Sequence, residues 1–340
     1  MPAEINRELV FDLFSYARRG PGRREHLSPA EVAQIARTVH RAPEVMVKVL
    51  SRGANDLGAV RRHLDYIGRK GEVDLETDEG EQRRGRGLGA DVVEDWDLDT
   101  ENDQPRPDLT ATAGKPGPRL VHKVIFSMPP GTPPDKVLAA TRNLMREEFA
   151  LQHRYAMALH TDEPHPHVHV VLKAVSEQGS RLYIRKATLR EWREGFARHL
   201  RAVGVEANAT PRQVRGESRP QKSDGIFRAA QRGQSKHMRE RVEAAFRQMA
   251  QGQQQAEPGK ATLVRTRNEA LLGWQAVAET LAHQGQRELA ERVREFAGQM
   301  STPLSEREWT AGQILERSRG QRLAWSYPSA REKIRCCSGS

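Results

Sequence analysis

The chain has 340 residues, 37% hydrophobic and 29% charged, with a formal net charge of +10. These proportions fit a soluble globular chain carrying exposed polar stretches, and no apolar run approaches the roughly 20 residues that a membrane helix needs, so membrane insertion is not expected. The start, MPAEINRELVFDLF, is acidic and amphipathic without the basic-then-apolar order of a secretory leader, and the only cysteines, Cys336 and Cys337, are adjacent in the tail, so a reducing, cytoplasmic location is expected.

In chain order, Ser28-Pro29 predicts a helix N-cap followed by proline at the first helical position, and Ala30 to His40 continues with apolar residues at helical spacing until Pro43. Residues 1–43 therefore read as an N-terminal helical extension. Glu44 to Leu50 alternates as a strand does, and a helix is expected over about Asp56–Gly68. Residues 70–117 lose apolar periodicity and are rich in Asp, Glu, Gly and Pro; they are expected as a long acidic, mobile insertion with one short element near Asp91–Trp96. LVHKVIFSM from Leu120 reads as a strand, Asp135–Ala150 as a helix, and Arg154–His160 and His167–Val175 as two more strands, with Arg181–Lys186 extending the sheet. Thr188 is expected to cap a helix running to about Ala202. Alternating strands and helices predict an α+β fold, an antiparallel sheet with helices packed on it, over residues 44–220. From residue 221 to 324 only helical patterns occur, at 225–249, 268–284, 288–300 and 305–320, so an all-α C-terminal region is expected, ending in a flexible tail over 325–340.

Charge is unevenly spread. The balance of Lys and Arg over Asp and Glu is +4 in residues 1–69, −9 in 70–110, +6 in 111–210 and +9 in 211–340. Basic surfaces attract polyanions over about a Debye length, and nucleic acid is the expected partner, although an Arg-rich composition alone would allow a bland reading. The acidic strip 72–103 is a candidate shield for a DNA groove.

The informative stretch is His160-Thr-Asp-Glu-Pro-His-Pro-His-Val-His169. His167 and His169 are two apart on a strand and share a face, and a short hairpin sets His160 beside them. Three convergent imidazoles with an open position are what a catalytic metal site requires. Without a negative ligand the set suits Zn, Mn, Co or Ni, and Mg where a substrate phosphate completes the shell. Asp162 is placed to hold the other ring nitrogen of a ligand histidine. His165, between two prolines, reads as a rim residue or DNA contact. The bland alternative, three inert surface histidines, needs a coincidence of spacing.

HTDEPHPHVHVVL resembles the third motif of conjugative relaxases of the HUH endonuclease superfamily, in the MobP-type branch that includes the relaxases of Ti and IncP plasmids. VRRHLDYIG (Val60–Gly68) resembles the helix that carries the family's nucleophilic tyrosine, which points to Tyr66, and VHKVIFS (Val121–Ser127) resembles the strand before the third motif, with Ser127 a DNA-positioning candidate. The likeness covers about residues 45–215. Family members often carry Asn shortly after the second paired histidine, where this chain has Lys173, which alters a DNA contact rather than a ligand. The acidic insertion after Tyr66 is long for the family.

The resemblance implies a palm-like core with a five-stranded type of sheet, and a divalent cation, Mg or Mn foremost, on His160, His167 and His169. It implies Tyr66 as a nucleophile that forms a 5′-phosphotyrosine link at a transfer origin single-stranded at the nick. Asp162, through His160, is the candidate proton acceptor. Arg61, Arg62, Arg69, Lys70, Arg185, Lys186 and Arg190 are candidate phosphate contacts, as is Lys173. For Tyr66 the bland reading is a packed helix aromatic, with Tyr155 or Tyr183 then the alternatives. Implied partners are DNA, accessory origin-binding proteins and a type IV secretion coupling protein, the basic tail Arg331–Arg335 being a candidate signal. A rolling-circle replication nuclease shares the histidine pattern; a non-catalytic DNA-binding accessory protein fits the basic helices but not the histidines.

Overall fold

A computed structural model describes residues 12–14, 26–50, 54–98, 118–217, 235–236, 239–240, 242–244, 247, 258–305, 308–309 and 312. They fall into two compact units, Ala42–Ala209 and residues 1–41 together with 210–340.

The first unit is α+β. Its strands are β1 (Met46–Leu50), β2 (Leu75–Thr77), β3 (Gln82–Arg83), β4 (Val121–Ser127), β5 (Tyr155–His160) and β6 (His167–Lys173). They form one six-stranded sheet in the order β1-β4-β6-β5-β2-β3, with every adjacent pair antiparallel. Its helices are α2 (Leu57–Ile67), α3 (Leu88–Asp95), α4 (Pro134–Phe149) and α5 (Lys186–Ala202), α1 (Pro29–Val39) belonging to the second unit. The central strands are apolar almost throughout because both faces are covered. Val124, Phe126, Tyr155, Met157, Val168, Val170 and Leu172 share a core with Val137, Leu144, Trp192 and Phe196 of α4 and α5. Phe126 meets Phe196 edge to face at 5.3 Å, a packing mode that adds to the roughly 1.5–3 kcal/mol from burying each such side chain. On the opposite face Val121, Ala156, Ala158 and Val171 meet Val60, Leu64, Ile67, Val92, Val93 and Trp96 of α2, α3 and the turn after it.

Four expectations change. The sheet has six strands, not five, because residues 70–98 are folded. There Leu75 pairs into the sheet through β2, and Leu88, Val92, Val93 and Trp96 recur at helical spacing and are buried. The acidic residues of that segment are not repelled into a mobile loop, because cations from the sheet hold them. Arg154 bonds Asp78 at 2.8 Å, Asp95 at 3.0 Å and Glu79 at 3.4 Å. Residues 99–117 lie outside the described residues. The segment Arg181–Lys186 is not a strand; it touches the sheet through one bridge, Val175 to Arg181, and then passes into α5. That helix starts at Lys186, so the N-cap is Arg185 and Thr188 sits in the first turn, where its hydroxyl caps the end from inside by accepting the Arg185 N–H at 3.2 Å.

The second unit is helical where it is described. In α1 (Pro29–Val39) the Ser28 side chain accepts the Glu31 N–H while Glu31 reaches back to Ser28, a full capping box. Further helices are α6 (Pro258–His283) and α7 (Arg287–Gly298). The N-terminal helix is not a free extension, since Leu27 and Ile35 share one core with Trp274, Val277, Leu281, Val293 and Phe296. Helix α6 starts ten residues before the expected 268. The helices expected at 225–249 and 305–320, and the two cysteines, lie largely or wholly outside the described residues.

Candidate metal centre and nucleophile

The register of β5 and β6 puts His160 opposite His167, and His169 opposite Ala158. All three histidines therefore project from the face that carries α2. One ligand nitrogen from each lies within 4.8 Å of the others, and the ring centroids are 4.6–5.3 Å apart. Two rings are oriented by backbone carbonyls. His160 Nε2–H donates to the Ile67 carbonyl at 2.7 Å, which leaves Nδ1 as the lone-pair nitrogen. His167 Nδ1–H donates to the His165 carbonyl at 2.9 Å, which leaves Nε2. His169 is 5% exposed, and its Nδ1 is buried without a hydrogen-bond partner. Burial, then the neighbouring His160 and His167, pushes the His169 pKa down to about 3, and burial also lowers that of His160. Imidazole lone pairs are the donor set a divalent cation takes, and His160 Nδ1, which here accepts from Arg69 Nη2 at 3.2 Å, would exchange that bond for the ion. The residues present fit such an ion, and they form the one cluster of three or more ligating groups among the described residues.

Helix α2 brings Tyr66 over this centre. Val60, Leu64 and Ile67 are buried on one side of the helix. Tyr66, one position before Ile67, is turned outward and 52% exposed. Its ring lies 6.1 Å from His169 and 6.2 Å from His160, edge-on to both. The chain then turns sharply. Arg69 and Lys70 have φ of +50° and +55°, a left-handed conformation costly for residues with a Cβ, and Gly71 follows at +96°, where a Cβ would stand 2.3 Å from the Gly85 backbone. This turn folds Arg69 back over the tyrosine. Its Cζ lies 5.1 Å above the Tyr66 ring, and Nη2 reaches Asp162 at 2.5 Å and His160 Nδ1 at 3.2 Å.

Contrary to the expectation, Asp162 does not hold a ligand ring; the Ile67 carbonyl at the end of α2 takes the His160 Nε2–H, and the Asp162 carboxylate is engaged by Arg69. Although slight burial would raise it, the Arg69 hydrogen bond holds the Asp162 carboxyl below its ordinary value. In the other direction, Asp162 outweighs burial and raises the Arg69 pKa.

Residues 75–205 match the profile of a relaxase family, MobA/VirD2-like, nuclease domain. This segment is a relaxase nuclease domain of the HUH superfamily. A similar protein is the T-DNA border endonuclease VirD2 of Rhizobium rhizogenes, 29% identical over 146 residues. The match covers 39% of this chain and 31% of that relative, so the chain spans about a third of the relative's length.

Within the relaxase domain, Ser127 faces His167 across the β4–β6 register but is 3% exposed, its hydroxyl weakly bonded to the Met128 carbonyl at 3.5 Å. Arg62 is exposed and pairs with Asp56 at 3.6 Å; Arg61 is half-buried and Lys70 exposed on the tyrosine side of the domain. Lys173 is buried at the far end of β6, with Nζ 3.4 Å from Glu177. Arg185 and Lys186 stand at the start of α5, beyond that same far end, and are not brought to the histidines. Of the alternative tyrosines, Tyr155 is 2% exposed and on the opposite sheet face, with burial raising its pKa. Tyr183 lies past the end of β6, and Tyr16 and Tyr327 lie outside the described residues.

Sequence reasoning missed His63. It sits one turn before Tyr66, stacked at 6.1 Å and 20°, and 6.0 Å from His169. Its Nε2 is buried without a hydrogen-bond partner, and burial, with Lys123 and His160, pushes its pKa down to about 4. The signal was the i, i+3 spacing of His63 and Tyr66, which puts both rings on one helix side.

Proposed function

We propose that this chain is a DNA-nicking and strand-joining relaxase that cuts one strand of a transfer origin with Tyr66 as the nucleophile. The observation that carries the proposal is an exposed tyrosine held edge-on to His160 and His169, two of three convergent histidines. The relative's activity, that of a T-DNA border endonuclease, supports DNA as the substrate.

In this reading the Tyr66 hydroxyl gives its proton to water and its oxygen attacks the scissile phosphorus. The Oη–P bond forms, the P–O3′ bond breaks, and the 3′ oxygen takes up a proton from water. The 5′ phosphate remains esterified to Tyr66, so the bond energy is kept for rejoining, which hydrolysis would discard. Arg69 stabilises negative charge on the tyrosine oxygen and the phosphate, and Asp162 holds Arg69 in place. When bound by His160, His167 and His169, a divalent cation (Mg or Mn, with Zn, Co or Ni as alternatives) polarises a phosphate oxygen. His63 packs Tyr66 from behind and fixes its ring. Arg61, Arg62 and Lys70 flank the strand near the nick, and Ser127, buried beside His167, supports the site from beneath. The wider role we infer is mobilisation of a plasmid or integrative element by a MobP-type enzyme acting in the cytoplasm with origin-binding accessory proteins and a type IV coupling protein. No helix among the described residues is long and apolar enough to cross a membrane.

The test is supercoiled plasmid carrying the transfer origin of the chain's own element, incubated with Mn or Mg and read as open-circular DNA after detergent and protease, alongside DNA-linked protein on a denaturing gel. Wild type is expected to nick and become linked, Tyr66→Phe to do neither, and His167→Ala to bind DNA without cutting. Binding without nicking by wild type under every metal overturns the proposal in favour of an accessory DNA-binding protein.

A further inference from the structure

The described surface holds a second exposed tyrosine, away from the histidines. Tyr183 is 68% exposed, which leaves its ring open to a stacking partner. It is also held rigidly. Leu182 and Ile184 on either side pack against the main core. The Leu182 N–H donates to the Ala174 carbonyl at 2.8 Å, and the Leu182 carbonyl accepts from His122 Nε2 at 3.0 Å. Arg181 is anchored by Nη1 on the Arg119 carbonyl at 2.8 Å. The next residues after Ile184 are Arg185 and Lys186, both exposed, at the N-terminus of the 17-residue helix α5, whose first turn holds no acidic residue. An exposed aromatic ring on a segment anchored at both neighbours, followed by two exposed cations at a helix start, matches the chemistry of a base stacked between phosphates.

Ala174, which anchors this segment, is seven residues along the β6 line from His167. At about 3.3 Å per residue Ala174 lies roughly 23 Å along the strand from His167, and Leu182 and Ile184 pack on the sheet face opposite the histidines, so a strand must extend well beyond the nick to reach Tyr183.

We propose that Tyr183, Arg185 and Lys186 form a second station for single-stranded DNA, with one base stacked on Tyr183 and adjacent phosphates on Arg185 and Lys186. It rests on the reading above only in taking DNA as the substrate. An exposed ring favours a single strand, whose bases can leave the stack, over a duplex.

The test uses fluorescent oligonucleotides of increasing length, extended in either direction from the nick sequence, with EDTA present so that no cleavage occurs. Variants are Tyr183→Ala, Tyr183→Phe and Arg185→Ala/Lys186→Ala, each checked for unchanged Tm. Beyond a threshold length in one direction, Tyr183→Ala is expected to weaken binding by about 5-fold to 100-fold, while Tyr183→Phe binds as wild type. Oligonucleotides below the threshold bind all variants equally. The cation double variant is expected to reduce the salt dependence, log K against log salt, by about 1.4. Equal binding of long oligonucleotides by wild type and Tyr183→Ala, or an equal loss for Tyr183→Phe, overturns the station. Duplex binding that falls while single-strand binding does not overturns the stacking. Because cleavage is not read, a chain that binds in this pattern but never nicks would sink the nuclease reading and leave the station standing; nicking with Tyr183 variants unaffected does the reverse.

Discussion

Replacing His169 by leucine should reverse its effect on stability when metal is added. His169 is almost fully buried, and its Nδ1 has no hydrogen-bond partner. Such an unpaired buried polar atom costs about 1–3 kcal/mol. Leucine fills a comparable volume without it, so in EDTA His169→Leu should be more stable than wild type by about 1–2 kcal/mol, roughly 2–8 °C in Tm for a unit of this size. A cation at 100 times its Kd stabilises wild type by about 2.7 kcal/mol. With one of three ligands gone, the variant should gain little from it. The expected result in urea or thermal unfolding is that the variant leads in EDTA and wild type leads in excess Mn. His167→Leu is the control: His167 is partly exposed and bonded to the His165 carbonyl, so it should lose the metal effect without gaining stability in EDTA. If His169→Leu is the less stable protein in EDTA, the Nδ1 atom is satisfied in solution and the reasoning fails. If Mn stabilises it as much as wild type, His169 is not a ligand.

Arg142 makes two bonds to the buried Glu76, at 2.5 and 2.7 Å. Arg142→Ala leaves that carboxylate unpaired and should cost about 3–5 kcal/mol in urea unfolding, whereas Arg142→Met with Glu76→Leu should stay within about 1 kcal/mol of wild type; a cost under 1 kcal/mol for the single change would show the pair to be solvated. Burial pushes the His122 pKa down to about 4 against an unfolded value near 6.5. The unfolded state therefore binds the extra proton between those values, and stability falls as pH drops through that window. His122→Phe should remove about 2 kcal/mol of the loss between pH 7 and pH 5, and an unchanged pH slope would count against it. Arg69→Gln should slow nicking by about 100-fold while oligonucleotide affinity falls much less; equal losses in both would make Arg69 a plain DNA contact.

The histidine centre was legible because its determinants are local. A two-residue strand period fixes His167 and His169 on one face, and a six-residue hairpin connection leaves His160 little choice of neighbour. The helix under Tyr66 and the core strands were legible for the same reason, their apolar spacing being strong. What stayed hidden depends on contacts distant in sequence. Nothing local shows that Arg154 gathers Asp78, Glu79 and Asp95, so a folded segment read as an acidic loop. The left-handed turn at Arg69 and Lys70, which moves Asp162 from a ring partner to an arginine partner, has no marker beyond Gly68 and Gly71. His63 was visible in the motif but acquires meaning only when α2 is laid across the sheet. The core joining the N-terminal helix to α6 and α7 pairs residues more than 200 positions apart, beyond what periodicity reports.

The most direct test of the central claim is the chemical identity of the linked residue. After reaction with an origin oligonucleotide in Mn, nuclease and protease digestion followed by mass spectrometry should place the residual nucleotide on the peptide containing Tyr66, through its phenolic oxygen. A nucleotide on Tyr155, Tyr183 or any other residue, or cleavage that leaves no adduct at all, would contradict the account.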